Sequence, residues 1–173
     1  ETSLPLRMAL TYTVFEDSDV ITRRATIYND GTNSVRIKGL ASAQLDLDAD
    51  DWNLVTFDGA WARERYMNER PLLPGIYIND SKTGVSSADH NPCIFLKKDD
   101  GECIGMNLVY SGNHRELVEV SPYGKIRVMT GINPATFSWD LSPQDRFQSP
   151  EAVLTYSHQG MNGASQNFHH FIN

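Results

Sequence analysis

Apolar and polar positions alternate along the start of the chain. Leu6, Met8, Leu10, Tyr12 and Val14 are separated by Arg7, Ala9, Thr11 and Thr13, the period of two expected of a strand with one buried face. A second alternating run covers 20–28, and Asn29, Asp30 and Gly31 supply turn chemistry before Val35 and Ile37. Runs rich in β-branched and aromatic residues predict further strands at 52–57, 93–96, 104–110, 117–120, 126–131, 137–141 and 153–156. The SPYG stretch at 121–124 predicts a hairpin loop between two of them. Helical periodicity is confined to the end, where Ser165 could cap a short turn that places Phe168 and Phe171 on one face. Short strands punctuated by Gly, Pro, Asn and Asp predict an all-β fold, an antiparallel β-sandwich with a short helix at the C-terminus. No linker or repeat divides the chain, so 1–173 is expected to be a single domain. Residues 60–91, polar and rich in Arg and Gly, are expected to form long loops at one edge, where function often sits.

Composition narrows the partners. Fifteen Lys+Arg against 22 Asp+Glu give a net charge of -7, which disfavours the phosphate contacts of nucleic-acid binding. No window approaches the about 20 apolar residues of a membrane-spanning helix. The opening residues lack the basic and apolar regions of a signal peptide, and the chain starts at Glu1 and not at Met, so the natural N-terminus is expected elsewhere. The cysteines are Cys93 and Cys103. A two-residue turn at Asp100 and Gly101 would set Cys93 opposite Leu108 and keep the thiols apart. Two free thiols suit the reducing interior of a bacterial cytoplasm. Without a Gly-rich phosphate loop or zinc-like His/Cys spacing, no cofactor and no metal are expected.

Three segments carry candidate chemistry. The acidic run DLDADD at 46–51 places Asp51 and Phe57 where a calcium loop needs Gly and Glu, which favours a solvated acidic loop. In WARER at 61–65, alternation would put Trp61, Arg63 and Arg65 on one face of an extended segment and Glu64 on the other. An aromatic platform beside guanidinium forks suits sugar hydroxyls or carboxylates, and equally suits a structural Arg–Glu network. The loops around His90 and Asn91 and around Asn113 and His114 could present side chains to a ligand or organise turns. A sugar epimerase would need a general acid and base, for which His90 or His114 with Glu64 is the pair to test. There is no G-x-S-x-G elbow, and no pair among the acidic residues stands out as a glycosidase pair.

Seven segments in order resemble one family: LTYTVFED (10–17) with DVITR (19–23), AQLDL (43–47), GAWARER (59–65), SSADHNP (86–92), LVYSGN (108–113), RVMTGINP (127–134) and SPEAVLTYS (149–157). The chain resembles the non-catalytic N-terminal β-domain of microbial α-galactosidases of glycoside hydrolase family 36. That resemblance implies a galactose-mutarotase-like supersandwich, of which this is the later part, preceding a catalytic TIM barrel. In the family two barrel Asp residues act as nucleophile and acid/base with retention of configuration, and neither has a counterpart here. It further implies, as partners, the barrel of the same polypeptide, a homo-oligomer and α-galactosides such as melibiose and raffinose. The alternative is an autonomous carbohydrate-binding module. Trp61, Arg63, Glu64, Arg65, His90, Asn91 and Asn113 are the candidate carbohydrate or interface residues.

Overall fold

The computed structural model describes residues 4–173. The strands are β1 (Leu6–Phe15), β2 (Val20–Asn29), β3 (Val35–Ile37), β4 (Ala41–Asp48), β5 (Asn53–Ala60), β6 (Arg63–Pro71), β7 (Gly75–Asp80), β8 (Cys93–Lys97), β9 (Cys103–Val109), β10 (His114–Ser121), β11 (Lys125–Ile132), β12 (Trp139–Leu141), β13 (Arg146–Gln148) and β14 (Glu151–Ser157), followed by helix α1 (Gly160–Ile172). An 8-stranded sheet runs β1-β2-β14-β9-β8-β5-β6 with β13 also on β2, and a 4-stranded sheet runs β4-β11-β10-β7. A 2-stranded ribbon joins β12 to β3. All of these pairings are antiparallel, and the expected all-β sandwich with one C-terminal helix is what the chain forms.

Alternation explains how the layers stack. On one face of the large sheet, Leu54, Ile94, Leu96 and Met106 meet Val118, Val120, Ile126 and Val128 of the small sheet over Trp52. On the opposite face, Val20, Val55, Phe95, Cys103 and Val153 receive Ala164 and Phe168 of α1. Two adjacent positions of β5, Leu54 and Val55, thus serve two different cores. A third cluster packs Ala25 and Ile27 of β2 against Ile37, Leu40 and Leu141. There Asn29, fully buried, donates to the carbonyls of Asn33, Leu141 and Ser142 and accepts from Gly31 N, closing the polar end of the ribbon.

Several expectations are corrected. The acidic run is not wholly a loop: Asp46 and Asp48 stand on β4, where Asp46 pairs with Arg127 at 2.8 Å and Asp48 with Lys125 of the neighbouring β11. Residues 60–91 contain β6 and β7, whose residues are largely exposed and so lack the apolar alternation that betrays a strand. The β8–β9 hairpin sets Cys93 opposite Asn107 and Lys97 opposite Cys103, because Gly101, at φ 99, extends the turn beyond two residues and shifts the register. Both cysteines are free thiols. Helix α1 begins at Gly160, ahead of Ser165, after Ser157 Oγ has accepted Gln159 N in the preceding turn. Phe168 and Phe171 both pack into the core beneath it.

Candidate functional site

The flank where the large sheet ends in β6 and the small one ends in β7 holds a cleft of about 330 Å³ between the layers. Its polar lining is Thr56, Asp58, Arg70, Asn79, His90 and Glu116. On β5, Leu54, Thr56 and Asp58 share a face; the apolar start of that face enters the core and its polar end reaches the cleft. Arg70, Asn68 and Tyr66 stand opposite these three in the β5–β6 register and so continue the same face outward. On β10, His114, Glu116, Val118 and Val120 likewise share a face, polar at the cleft and apolar in the core.

Two carboxylates organise the cleft. Asp58 accepts from His90 Nδ1 at 2.8 Å, Thr56 Oγ1 at 3.0 Å and Asn68 Nδ2 at 2.7 Å. Partial burial opposes its charge, but these donors together outweigh that and hold the carboxyl below its ordinary pKa. The Asp58 bond places the His90 proton on Nδ1 and leaves Nε2 without a partner among the described residues. Behind it, Glu116 accepts from His114 Nδ1 at 2.9 Å, Asn79 Nδ2 at 2.8 Å and Thr130 Oγ1 at 3.1 Å. His114 Nε2 faces the His90 carbonyl at 3.1 Å. Both ring nitrogens therefore point at acceptors, which favours the imidazolium. Burial works against that charge, but Glu116, the His90 carbonyl and Asp80 prevail and raise the His114 pKa above its ordinary value. His114 and Glu116 are 0% and 1% exposed, so this is a paired charge between the layers.

The structure separates the residues singled out in the sequence. Trp61, 87% exposed, and Ala62, at φ 65, make the tip of the β5–β6 hairpin. The expected alternation of Trp61, Arg63 and Arg65 fails, because Arg65 takes a left-handed backbone at φ 65 in a bulge where the register shifts between Asp58 and Ala60. Among the described residues no side-chain hydrogen bond or ion pair engages Trp61, Arg63, Glu64 or Arg65. Glu64 stays exposed on that arm while His90 pairs with Asp58 and His114 with Glu116, so the acid/base pair suggested for an epimerase is not assembled. Asn91 accepts from Cys93 N and Asn113 from Gly84 N while donating to Thr136, so both organise turns. Only His90 of the expected residues lines the cleft. The sequence does not single out Asp58, Arg70, Asn79 and Glu116; Asp58 and Glu116 are signalled as polar residues in phase with the buried apolar face of their strands, whereas Arg70 lies on β6, which has no buried face to signal it.

Comparison with known proteins agrees in sequence and in fold. The model of the glycosyl hydrolase family 36 N-terminal domain matches residues 1–142. Alpha-galactosidase AgaA of Geobacillus stearothermophilus is 40% identical over 169 residues, which is 95% of this chain and 23% of that protein. Alpha-galactosidase Mel36A of Lactobacillus acidophilus is 40% identical over 172 residues, covering 96% of this chain and 24% of the relative. The crystal structure of the alpha-galactosidase from Lactobacillus brevis superposes with a TM-score of 0.95 at 39% identity, over 98% of this chain and 24% of that one. The chain thus spans about a quarter of the length of these relatives. With the family model, the sequence identity and the two-sheet architecture in agreement, the chain belongs to the N-terminal domain of glycosyl hydrolase family 36.

Proposed function

We propose that the chain is the non-catalytic N-terminal domain of an α-galactosidase, supporting the catalytic barrel of the same polypeptide, oligomer assembly and access of α-galactosides such as melibiose and raffinose. The observation that carries this reading is the flank at β1. There the strand presents Met8, Leu10, Tyr12 and Val14 on one face at 57%, 47%, 58% and 62% exposure. Covering the exposed half of each such side chain contributes about 1 kcal/mol, and the four together form a contiguous apolar patch unlike an ordinary solvent face. A scaffold that docks onto more protein needs a surface of this kind. The hairpin tip at Trp61, with Arg63 and Arg65 beside it, has the residue types enriched where one protein anchors on another, and suits contact with a neighbouring subunit.

In this reading hydrolysis with retention belongs to two Asp residues of the barrel, and the chain alone turns over nothing. The free thiols Cys93 and Cys103 fit a cytoplasmic enzyme. Release of p-nitrophenol from its α-galactoside, measured for this chain and for the full polypeptide, tests the assignment. Turnover is expected only from the full polypeptide; activity of the chain alone, or none from either, overturns it.

A further inference from the structure

We infer that the cleft between β5, β6, β7 and β10 is a binding site for a single neutral pyranose sugar, held by Arg70, His90 and Asp58, with Tyr66 outside the lining but next to Asp58 on the same face. The two flanks of the large sheet differ in chemistry: the overhang at β1 is apolar, whereas the one at β6 presents Tyr66, Asn68 and Arg70 in line with Asp58. An apolar shelf calls for protein cover, and a polar shelf with one aromatic ring calls for a polyol. Tyr66 is 62% exposed and offers a flat face for sugar C–H surface. Arg70 lines the cleft, and among the described residues its guanidinium has no hydrogen-bond or ion-pair partner, so its donors are free for hydroxyl oxygens. His90 Nε2 has no partner among the described residues and is free to hydrogen-bond a hydroxyl, and Asp58 fixes the ring orientation. Glu116 is spent on His114, Asn79 and Thr130 and serves as a wall.

Size and charge restrict the ligand. About 330 Å³ is at the low end of the roughly 300–1,000 Å³ of small-molecule sites, enough for one ring and too little for an oligosaccharide. Asp58 and Glu116 face the cleft as carboxylates, against the positive charges of Arg70 and His114, so the site offers no net attraction to an anion such as phosphate. Hydroxyl groups, which both donate and accept, match this mixture of carboxylate, guanidinium and imidazole.

The site does not depend on the scaffold role, because sugar binding here is read without any hydrolysis. The test is a nuclear magnetic resonance titration of the chain with D-galactose and D-glucose, following the His90 ring and the tyrosine side chains, with inorganic phosphate as the charged probe. Saturable shifts are expected with at least one sugar and none with phosphate. R70A and Y66A, both at exposed positions, should each weaken sugar binding about tenfold or more, the loss of one or two charge-assisted or stacking contacts, and leave the urea unfolding midpoint unchanged. A strictly linear response to both sugars, saturation by phosphate, or binding that survives both variants unaltered overturns the proposal.

Discussion

At the scale of single residues, the paired charge of His114 and Glu116 is where one atom changes most. Removing the imidazole in H114F leaves Glu116 buried with only Asn79 and Thr130 as donors, a loss expected to cost about 3–5 kcal/mol in urea unfolding. E116Q should cost less, because the amide oxygen can still accept from His114 Nδ1 and His114 can lose its proton. Stability should also follow pH with a definite sign. The His114 pKa is raised in the fold above its ordinary value of 6.5, so its contribution is fully present below that value and is lost as pH rises through the folded pKa. Asp58 is shifted the other way, below 3.8; its contribution is present above that value and is lost as pH falls through the folded pKa. Urea midpoints across a pH series should therefore decline on the alkaline side for the parent chain, and that decline should flatten in H114F. D58N should flatten the acid limb instead. A parent chain with no alkaline decline would show that His114 is neutral in the fold. The thiols take no part in this range, since burial pushes Cys93 up to about 12 and Cys103 to about 11.

At the scale of elements, helix α1 is held to the sheet by shape as much as by hydrophobicity. Gly105 on β9 lies where a Cβ would come within 2.8 Å of Phe168 and 2.9 Å of Phe95, so the missing side chain is what lets the Phe168 ring settle on the strand. G105A should force the helix outward at about 1–3 kcal/mol. F168A, which empties the same contact, should cost about 3–5 kcal/mol. Thermal unfolding ranks the two, and a neutral G105A would show that the helix is not seated through this contact. Elements differ in how visible they are in the sequence. The strands β10 and β11 announce themselves because one face enters a core, which writes a period of two into the sequence; β1 shows the same period although its apolar face is exposed, and β5, β8 and β9, buried on both faces, read as short apolar runs. The β4 strand hides its nature behind Asp46 and Asp48, whose partners Arg127 and Lys125 lie far along the chain. The β6 strand has no buried residue to reveal it. The cleft was illegible for the same reason. Asp58, Arg70 and Glu116 come from three strands, and only the register puts the first two on one face of the sheet and the sheet packing adds the third. His90 was noticed as a loop residue, but its partner could be named only once the bridge between Asp58 and His90 was visible.

At the scale of the whole molecule, the two sheets do not cover each other at the β1 flank. The small sheet ends at β4, which packs over β2, and the apolar face of β1 continues beyond it with Met8, Leu10, Tyr12 and Val14 about half exposed. Among the described residues the strand also ends the large sheet, so its outer edge is unpaired there. An apolar face beside an open edge is a template for strand addition. The net charge of -7 opposes association only weakly at physiological salt, where screening acts over about 8 Å. The isolated chain is therefore expected to self-associate with rising concentration, and light scattering should report a mean mass that climbs above that of a monomer. The combined substitutions M8T, L10T, Y12T and V14T should abolish that climb. They should lower the unfolding midpoint of the chain only modestly, because these side chains are already about half exposed and Thr retains strand propensity. In the full polypeptide the same four changes should be strongly destabilising if more protein covers this face. A chain that stays monomeric at high concentration, or a quadruple variant that associates as the parent does, would remove the β1 face from the account and with it the main physical support for a docking scaffold.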